Sequence, residues 1–391
     1  MKIKFGIRHN LFYPIVSIIF TFLRKVETIA MNKSIGFDGS LLLTLIMFSA
    51  EIIPGMILYL YQKSFIKEGI EKPKLMGIAL TADSGEPKKK HSRIKIYILL
   101  ILIGLIDFFE FIIDTLYFPK YDNISNSLFV RLRCILTIFS AIFSHFILKF
   151  SLFNHQKVSL IVIFICLIIT LISEIFYEGK EDKFLYVLFF IFANYFADSF
   201  FDIIEKYLLD TCSLNPFKIL MIEGIFGFIF ASIYTVKEDP FKEYNDIKEK
   251  SNKDCFILII FLILYFILCA GRNVYRIITN KLYFPITRSL TDSLFDPLFI
   301  IYYYCFEKDF YLVDKDKQSP LFFSINLIVS IIFVFFGCVY NEVFVLFCFN
   351  LEYNTHIEIS RRASSIENEN IIKSKSPDET AALELGDLII N

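Results

Sequence analysis

The residues with the most chemistry to offer are charged side chains placed where charge is costly. Runs of about twenty apolar residues, each long enough to cross about 30 Å of hydrocarbon, are separated by short charged clusters. Inside the runs or at their rims lie six cations, Arg24, Lys25, Arg131, Arg133, Arg272 and Arg288, and a larger set of acids that includes Glu51, Asp107, Asp202, Glu223 and Asp292. At the centre of a spanning helix an Asp, Lys or Arg costs roughly 2.5–3.5 kcal/mol on insertion scales. Such residues therefore face a bundle interior or a wet cavity. The spacing agrees: Asp107, Glu110 and Asp114 fall at i, i+3, i+7, and Asp198, Asp202 and Glu205 at i, i+4, i+7. Each set is one stripe of a helix, and two acidic stripes on different helices imply a polar lumen or paired ion networks. Arg133 and Arg288 have the permanent charge and bidentate geometry to attract an anionic group. Asp292 lies one turn after Arg288 and could hold it in the empty site. Glu51 and Glu223 line the same cavity in this reading, where either could carry a coupling proton. Asp107 and Asp202 complete the expected substrate-binding set. Arg24, Lys25, Arg276, Glu174 and Asp114, near the ends of runs, read instead as snorkelling or mutually neutralising charges.

These side chains must be positioned by helices, because only helices and closed barrels satisfy the backbone inside lipid and the runs show no strict alternation. The apolar runs lie near 10–30, 41–61, 94–117, 128–148, 157–177, 184–208, 215–236, 255–277, 283–305 and 321–350. The expected fold is an all-α integral membrane protein of ten transmembrane helices. Residues 1–30 read as a span and not as a cleaved signal, since the apolar stretch is long and more charges follow it. Lysines concentrate at 63–93, which sets a topology with both termini cytosolic. That stretch is expected to be a flexible cytosolic loop, and 351–391 a polar, largely disordered tail. The sequons at Asn32 and Asn123 fall on the opposite side. Arg361 and Arg362 two residues before Ser364 suit a basophilic kinase, and Glu384 with Leu388 and Ile389 has the spacing of an acidic-dileucine sorting signal.

The 391 residues are 55% hydrophobic with a net charge of −1. That composition excludes a soluble enzyme, and the absence of a basic surplus argues against a nucleic-acid partner. The cysteines show no C-x-x-C pair and the histidines are scattered, so neither a metal nor another cofactor is expected. His145 sits in a span without an acidic partner at dyad spacing, and no H-E-x-x-H or G-x-S-x-G occurs; no enzyme is expected.

The spans also divide five and five. Glu51 in the second is matched by Glu223 in the seventh, and Arg133 opening the fourth by Arg288 opening the ninth. In the assigned topology the two arginines enter from opposite faces, as two inverted five-helix repeats require, the first over 10–177 and the second over 184–350.

Several segments carry a resemblance to a known family. They are Ser127 to Arg133, Glu205 to Leu208, Asn215 to Lys218, Glu223 to Phe228, Ile286 to Ser293, and Gly337 with Tyr340, Asn341 and Glu342, together with Glu51 and Asp107. Over residues 10–350 the chain resembles the drug/metabolite transporter superfamily, in its solute-carrier-35 F-type branch related to nucleotide-sugar transporters. The resemblance implies an endomembrane carrier (Golgi, endosome, lysosome or vacuole) that moves a small polar or anionic metabolite by alternating access. The expected partners are that substrate, the bilayer, a sorting adaptor at the tail and a second copy in a homodimer. The competing reading is a non-transporting membrane scaffold acting through its cytosolic loop and tail.

Overall fold

The computed structural model describes residues 3–5, 12–37, 40–67, 74–75, 78–79, 93–113, 126–150, 152–178, 184–235, 241–250, 252–306, 320–346, 355 and 362. Among these, helices dominate: α1 (Phe12–Ile35), α2 (Ser40–Lys67), α3 (Arg93–Ile112), α4 (Asn126–Arg131), α5 (Cys134–Phe146), α6 (Asn154–Glu178), α7 (Phe184–Asp210), α8 (Pro216–Thr235), α9 (Lys242–Lys250), α10 (Asn252–Leu282), α11 (Pro285–Asp292), α12 (Asp296–Phe306) and α13 (Pro320–Tyr340). Six of the described helices (α2, α6, α7, α8, α10 and α13) are long and apolar enough to cross a membrane. The chain is a helical, multi-pass membrane protein.

Local sequence chemistry sets the ends of these helices. Pro216, Pro285 and Pro320 each occupy the first helical position, where a missing N–H is no loss. Asn215 caps α8, its Oδ1 accepting from the N–H groups of Phe217 at 2.9 Å and Lys218 at 3.3 Å. The C-terminal ends of α7 and α10 cap each other. Lys206 Nζ donates to the carbonyls of Asn280 and Lys281, and Lys281 Nζ donates to that of Leu209. A lysine at a helix C-terminus satisfies orphan carbonyls and complements the helix dipole.

Two of the expected spans are interrupted. The fourth is split between α4 and α5 by a tight turn in which Arg133 N–H donates to the Val130 carbonyl and Leu136 N–H to that of Arg133, both i to i−3 bonds. The ninth is split between α11 and α12, where Asp296 N–H donates to the Ser293 carbonyl and Ser293 Oγ to that of Leu290. Interruptions of this kind leave carbonyls at the end of the first segment in need of donors.

The packing brings distant parts of the chain together. α2 packs on α8 and α10, α1 on α10 and α11, and α3 on α7 and α8. α5 packs on α6, α7 and α11, α6 on α13, and α12 on α4 and α13. One apolar core joins Leu132, Ile135, Cys166, Ile191, Leu290 and Phe333; a second joins Phe48, Ala231, Leu258 and Cys269. The described cysteines are free thiols.

Some expectations change. The tenth span is shorter than its apolar run: α13 stops at Tyr340, and a strand, β4 (Phe344–Leu346), pairs antiparallel with β1 (Ile3–Phe5). β-branched and aromatic residues follow a turn there, in which Glu342 holds a φ of 57°, and an extended N-terminal segment offers them a ladder. The stretch 63–93 is not wholly irregular, since α2 runs on to Lys67 and Lys74–Leu75 pairs with Ile78–Ala79. Asn32 lies in the last turn of α1 and not in a loop, its carbonyl accepting from Gly36 N–H; a sequon held in a helix is a poor glycosylation acceptor. Asp114, Asn123, Ser364, Glu384, Leu388 and Ile389 lie outside the described residues.

Candidate functional site

The interrupted helices meet. Arg133, in the turn between α4 and α5, donates through Nη1 to the carbonyl of Asp292, the last residue of α11, at 2.7 Å. The same nitrogen stands 3.5 Å from the Asp296 carboxylate at the start of α12. One side chain from the first break therefore satisfies an orphan carbonyl of the second and lies at ion-pair distance from its carboxylate. Thr137 Oγ1 and Ser289 Oγ share a hydrogen bond of 2.7 Å beside this crossing. Tyr195 of α7 donates its hydroxyl to the Phe129 carbonyl at 2.5 Å, fixing α4 from a third helix.

Arg288 lies one turn earlier on α11 and pairs closely with Asp202 of α7. It also reaches Asp198 and Asp292, each at 3.8 Å. Where the sequence expectation sets Arg133 and Arg288 at opposite faces, their side chains converge on the one residue Asp292. Asp198, Asp292 and Arg133 keep 25%, 28% and 15% of their side-chain surface exposed. Asp198 lies midway along α7 between the buried Ala197 and Ser199. Intramembrane carboxylates pair with cations or face a polar interior; Asp198 pairs with Arg288 while staying partly exposed, so the Arg133–Arg288 group is paired but not sealed.

A second group is closed. Arg276 of α10 forms an ion pair with Glu223 of α8, stands 3.8 Å from Glu205 of α7 and 3.9 Å from Glu51 of α2, and lies over the Phe201 ring. Asn280, one turn further along α10, donates to Glu205 and to the Asp202 carbonyl, which ties this group to the Arg288 group through α7. Carboxylate oxygens of Glu51, Asp107 and Glu223 lie within 4.8 Å of one another, close enough to share one small cation. Their approach depends on small residues where α2 crosses α8. A Cβ on Gly224 would stand 2.8 Å from Glu51 Cβ, and one on Gly227 would overlap the Phe48 ring. Pro54, one turn after Glu51, removes a rung from the α2 ladder at this crossing.

The structure thus brings Glu51, Asp107 and Glu223 into one group and Arg133, Arg288, Asp202 and Asp292 into the other. For two of the charges near span ends it selects mutual neutralisation over snorkelling. Arg276 is not a snorkelling residue but the buried centre of the acidic group, and Glu174 is fully buried. Glu174 accepts from Arg131 in a fork, Nε to Oε1 at 2.7 Å and Nη2 to Oε2 at 3.1 Å, with the guanidinium over the Phe322 ring. Two further participants are Glu205, which the sequence shows as a member of the α7 acidic stripe, and Asp296 at the start of α12. The signal for Arg276 is the polar stripe Asn273, Arg276 and Asn280 at i, i+3, i+7, one face of α10. His155 of α6 stands 3.6 Å from Glu342 after α13, an acid that the spacing of neither stripe relates to a histidine.

Set against protein-family models and curated proteins, the chain matches none.

Proposed function

We propose that the chain is a secondary active transporter, moving a small polar or anionic metabolite of the nucleotide-sugar kind across an endomembrane by alternating access. The observation that carries this reading is the crossing of two interrupted helices, with Arg133 of one break bonded into the other. Carriers built from paired repeats place their substrate sites at discontinuous helices near the bilayer midplane, where irregular backbone lines a cavity.

The packing supports a repeat. Matching α1, α2, α3, α4–α5 and α6 with α7, α8, α10, α11–α12 and α13 maps most of the principal contacts onto one another. The α1–α10 contact becomes α7–α3, α2–α10 becomes α8–α3, and α5–α7 becomes α11–α1, while α2–α8, α5–α11 and α6–α13 map onto themselves. Ten spans in two oppositely oriented halves, with both termini in the cytosol, fit this exchange.

In the empty carrier Arg288 is held by Asp202, Asp198 and Asp292. A phosphate or carboxylate of the substrate would replace some of these oxygens, and a guanidinium is suited to the exchange because it binds both in a fork. Releasing Asp292 loosens the α11–α12 break to which Arg133 is bonded, which couples occupancy to the crossing.

The test is uptake in reconstituted liposomes. A thermal-shift screen across nucleotide sugars, sugar phosphates, amino acids and organic acids first selects a ligand, since binding raises stability by RT ln(1 + [L]/Kd). Arg288→Ala and Arg133→Ala should then lower uptake on the order of 10- to 100-fold, the worth of one charge-assisted contact. Unchanged uptake in both variants removes the arginines from the site.

A further inference from the structure

The acidic group around Arg276 carries more negative charge than its arginines neutralise. Glu51, Asp107, Glu205 and Glu223 face Arg276, with Arg272 acting on Glu51 and Asp107 from the same helix. Asp198 and Arg288 act on Asp107 from the side of the other group. Four carboxylates against two guanidiniums leave two uncompensated negative charges in a region where Glu51, Glu205 and Glu223 are buried to 2% exposure or less. An independent feature points to what is missing. Glu51 Oε2, Asp107 Oδ2 and Glu223 Oε2 are all buried, and each lacks a hydrogen-bond partner. Ionised carboxylates are acceptors only, so three of them within 4.8 Å of one another have nothing to offer each other.

We infer that Glu51, Asp107 and Glu223 form a proton-binding site. A proton on one oxygen turns an acceptor into an O–H donor, which bonds to a neighbouring carboxylate and satisfies two orphan atoms at once. It also lowers the surplus to one negative charge. Carboxylates packed this closely do not all ionise together. A metal ion fits less well. Arg276 already holds Glu223 and lies 3.9 Å from Glu51, repelling a second full positive charge. Resting on the transporter reading, the same site holds the coupling ion: α2, α3 and α8 trap the proton when closed and release it when that side hydrates. The Asn280 bridge from Glu205 to the Asp202 carbonyl gives the proton a mechanical link to Arg288.

Infrared spectroscopy of the purified full-length protein in lipid tests the site without a substrate. At neutral pH the wild type should show the C=O stretch of a protonated carboxylic acid. The band should weaken in Glu51→Gln, Asp107→Asn and Glu223→Gln, each made separately so that one that misfolds does not decide the matter, and persist in the helix-end control Asp210→Asn. An absent band, or one that survives all three substitutions, overturns the proposal. So does selective stabilisation by sodium over potassium and choline without the band. The coupling role is read from liposome uptake of the ligand chosen by thermal shift: an imposed pH gradient should drive it in the wild type and leave Glu51→Gln indifferent. Active uptake that ignores the gradient overturns coupling alone. If nothing is transported, the carrier reading fails while the infrared band still decides the proton site.

Discussion

Arg131 and Arg276 show how the same residue type serves two ends. Arg131 meets the Glu174 carboxylate in a fork with both side chains buried, so the two charges of this pair are matched. Arg276 is shared among three acids, with Nε and several carboxylate oxygens unbonded. Removing one partner of a buried pair strands the other charge and costs about 3–5 kcal/mol, whereas replacing both with apolar residues of similar size is often neutral. Arg131→Ala should therefore lower stability by about that amount in a denaturant titration. The double change Arg131→Met with Glu174→Leu should restore most of it. A double variant no better than the single would show that the pair holds more than its own packing. Arg276→Met should behave differently, leaving the acidic group more charged than before and destabilised even though the volume is kept.

At the scale of elements, close approach and broken regularity do the positioning. The α2–α8 crossing is set by glycines, and without a hydrophobic drive between helices in lipid such small-residue contacts decide how near two backbones come. Gly224→Val should force Glu51 away from Glu223 at a cost of about 1–3 kcal/mol. It should also weaken any pH-gradient-driven uptake more than substrate binding, which thermal shift measures separately. Asn215→Ala removes a cap and should cost about 1 kcal/mol, leaving the site intact; a larger loss would mean that the hydrogen bond from Asn215 to Gln62 of α2 matters as well. The break at Arg133 is visible only in the fold, since it contains neither glycine nor proline, whereas Pro297 in the first turn of α12 marks the break at residues 293–295 in the sequence. The i to i−3 bonds of the first break persist beside the contact that Arg133 makes with another helix.

Across the whole molecule, the largest contacts run between the first and second halves of the chain: α2 with α8, α1 with α10, α3 with α7 and α8, and α6 with α13. Two charge contacts cross the same division: Arg276 of the second half reaches Glu51 of the first, and Arg133 of the first reaches Asp296 of the second. Neither half can bury its polar face alone. Residues 1–183 and 184–391 expressed separately should be unstable and degraded. Co-expressed, they should copurify and recover cooperative thermal unfolding. Independent stability of either half would contradict an interface that supplies the core of both.

What the amino-acid order determined by itself was the class of the molecule. Hydropathy over windows of about twenty residues is a local quantity, so the helical membrane protein, the approximate place of each long helix and the presence of costly interior charges were all legible. The acidic stripe on α7 was legible too, because helical periodicity is local. Which charges meet is not a local matter. Arg276 lies near the end of its apolar run yet sits at the centre of the acidic group, because α10 is 31 residues long and its polar stripe turns inward against α2, α7 and α8. The convergence of Arg133 and Arg288 on Asp292 required the two breaks to cross, and the pairing of β1 with β4 required the chain's beginning to return beside the end of α13. Arg133 and Asp292 are 159 positions apart, and β1 and β4 lie further apart still; packing geometry alone selects such meetings.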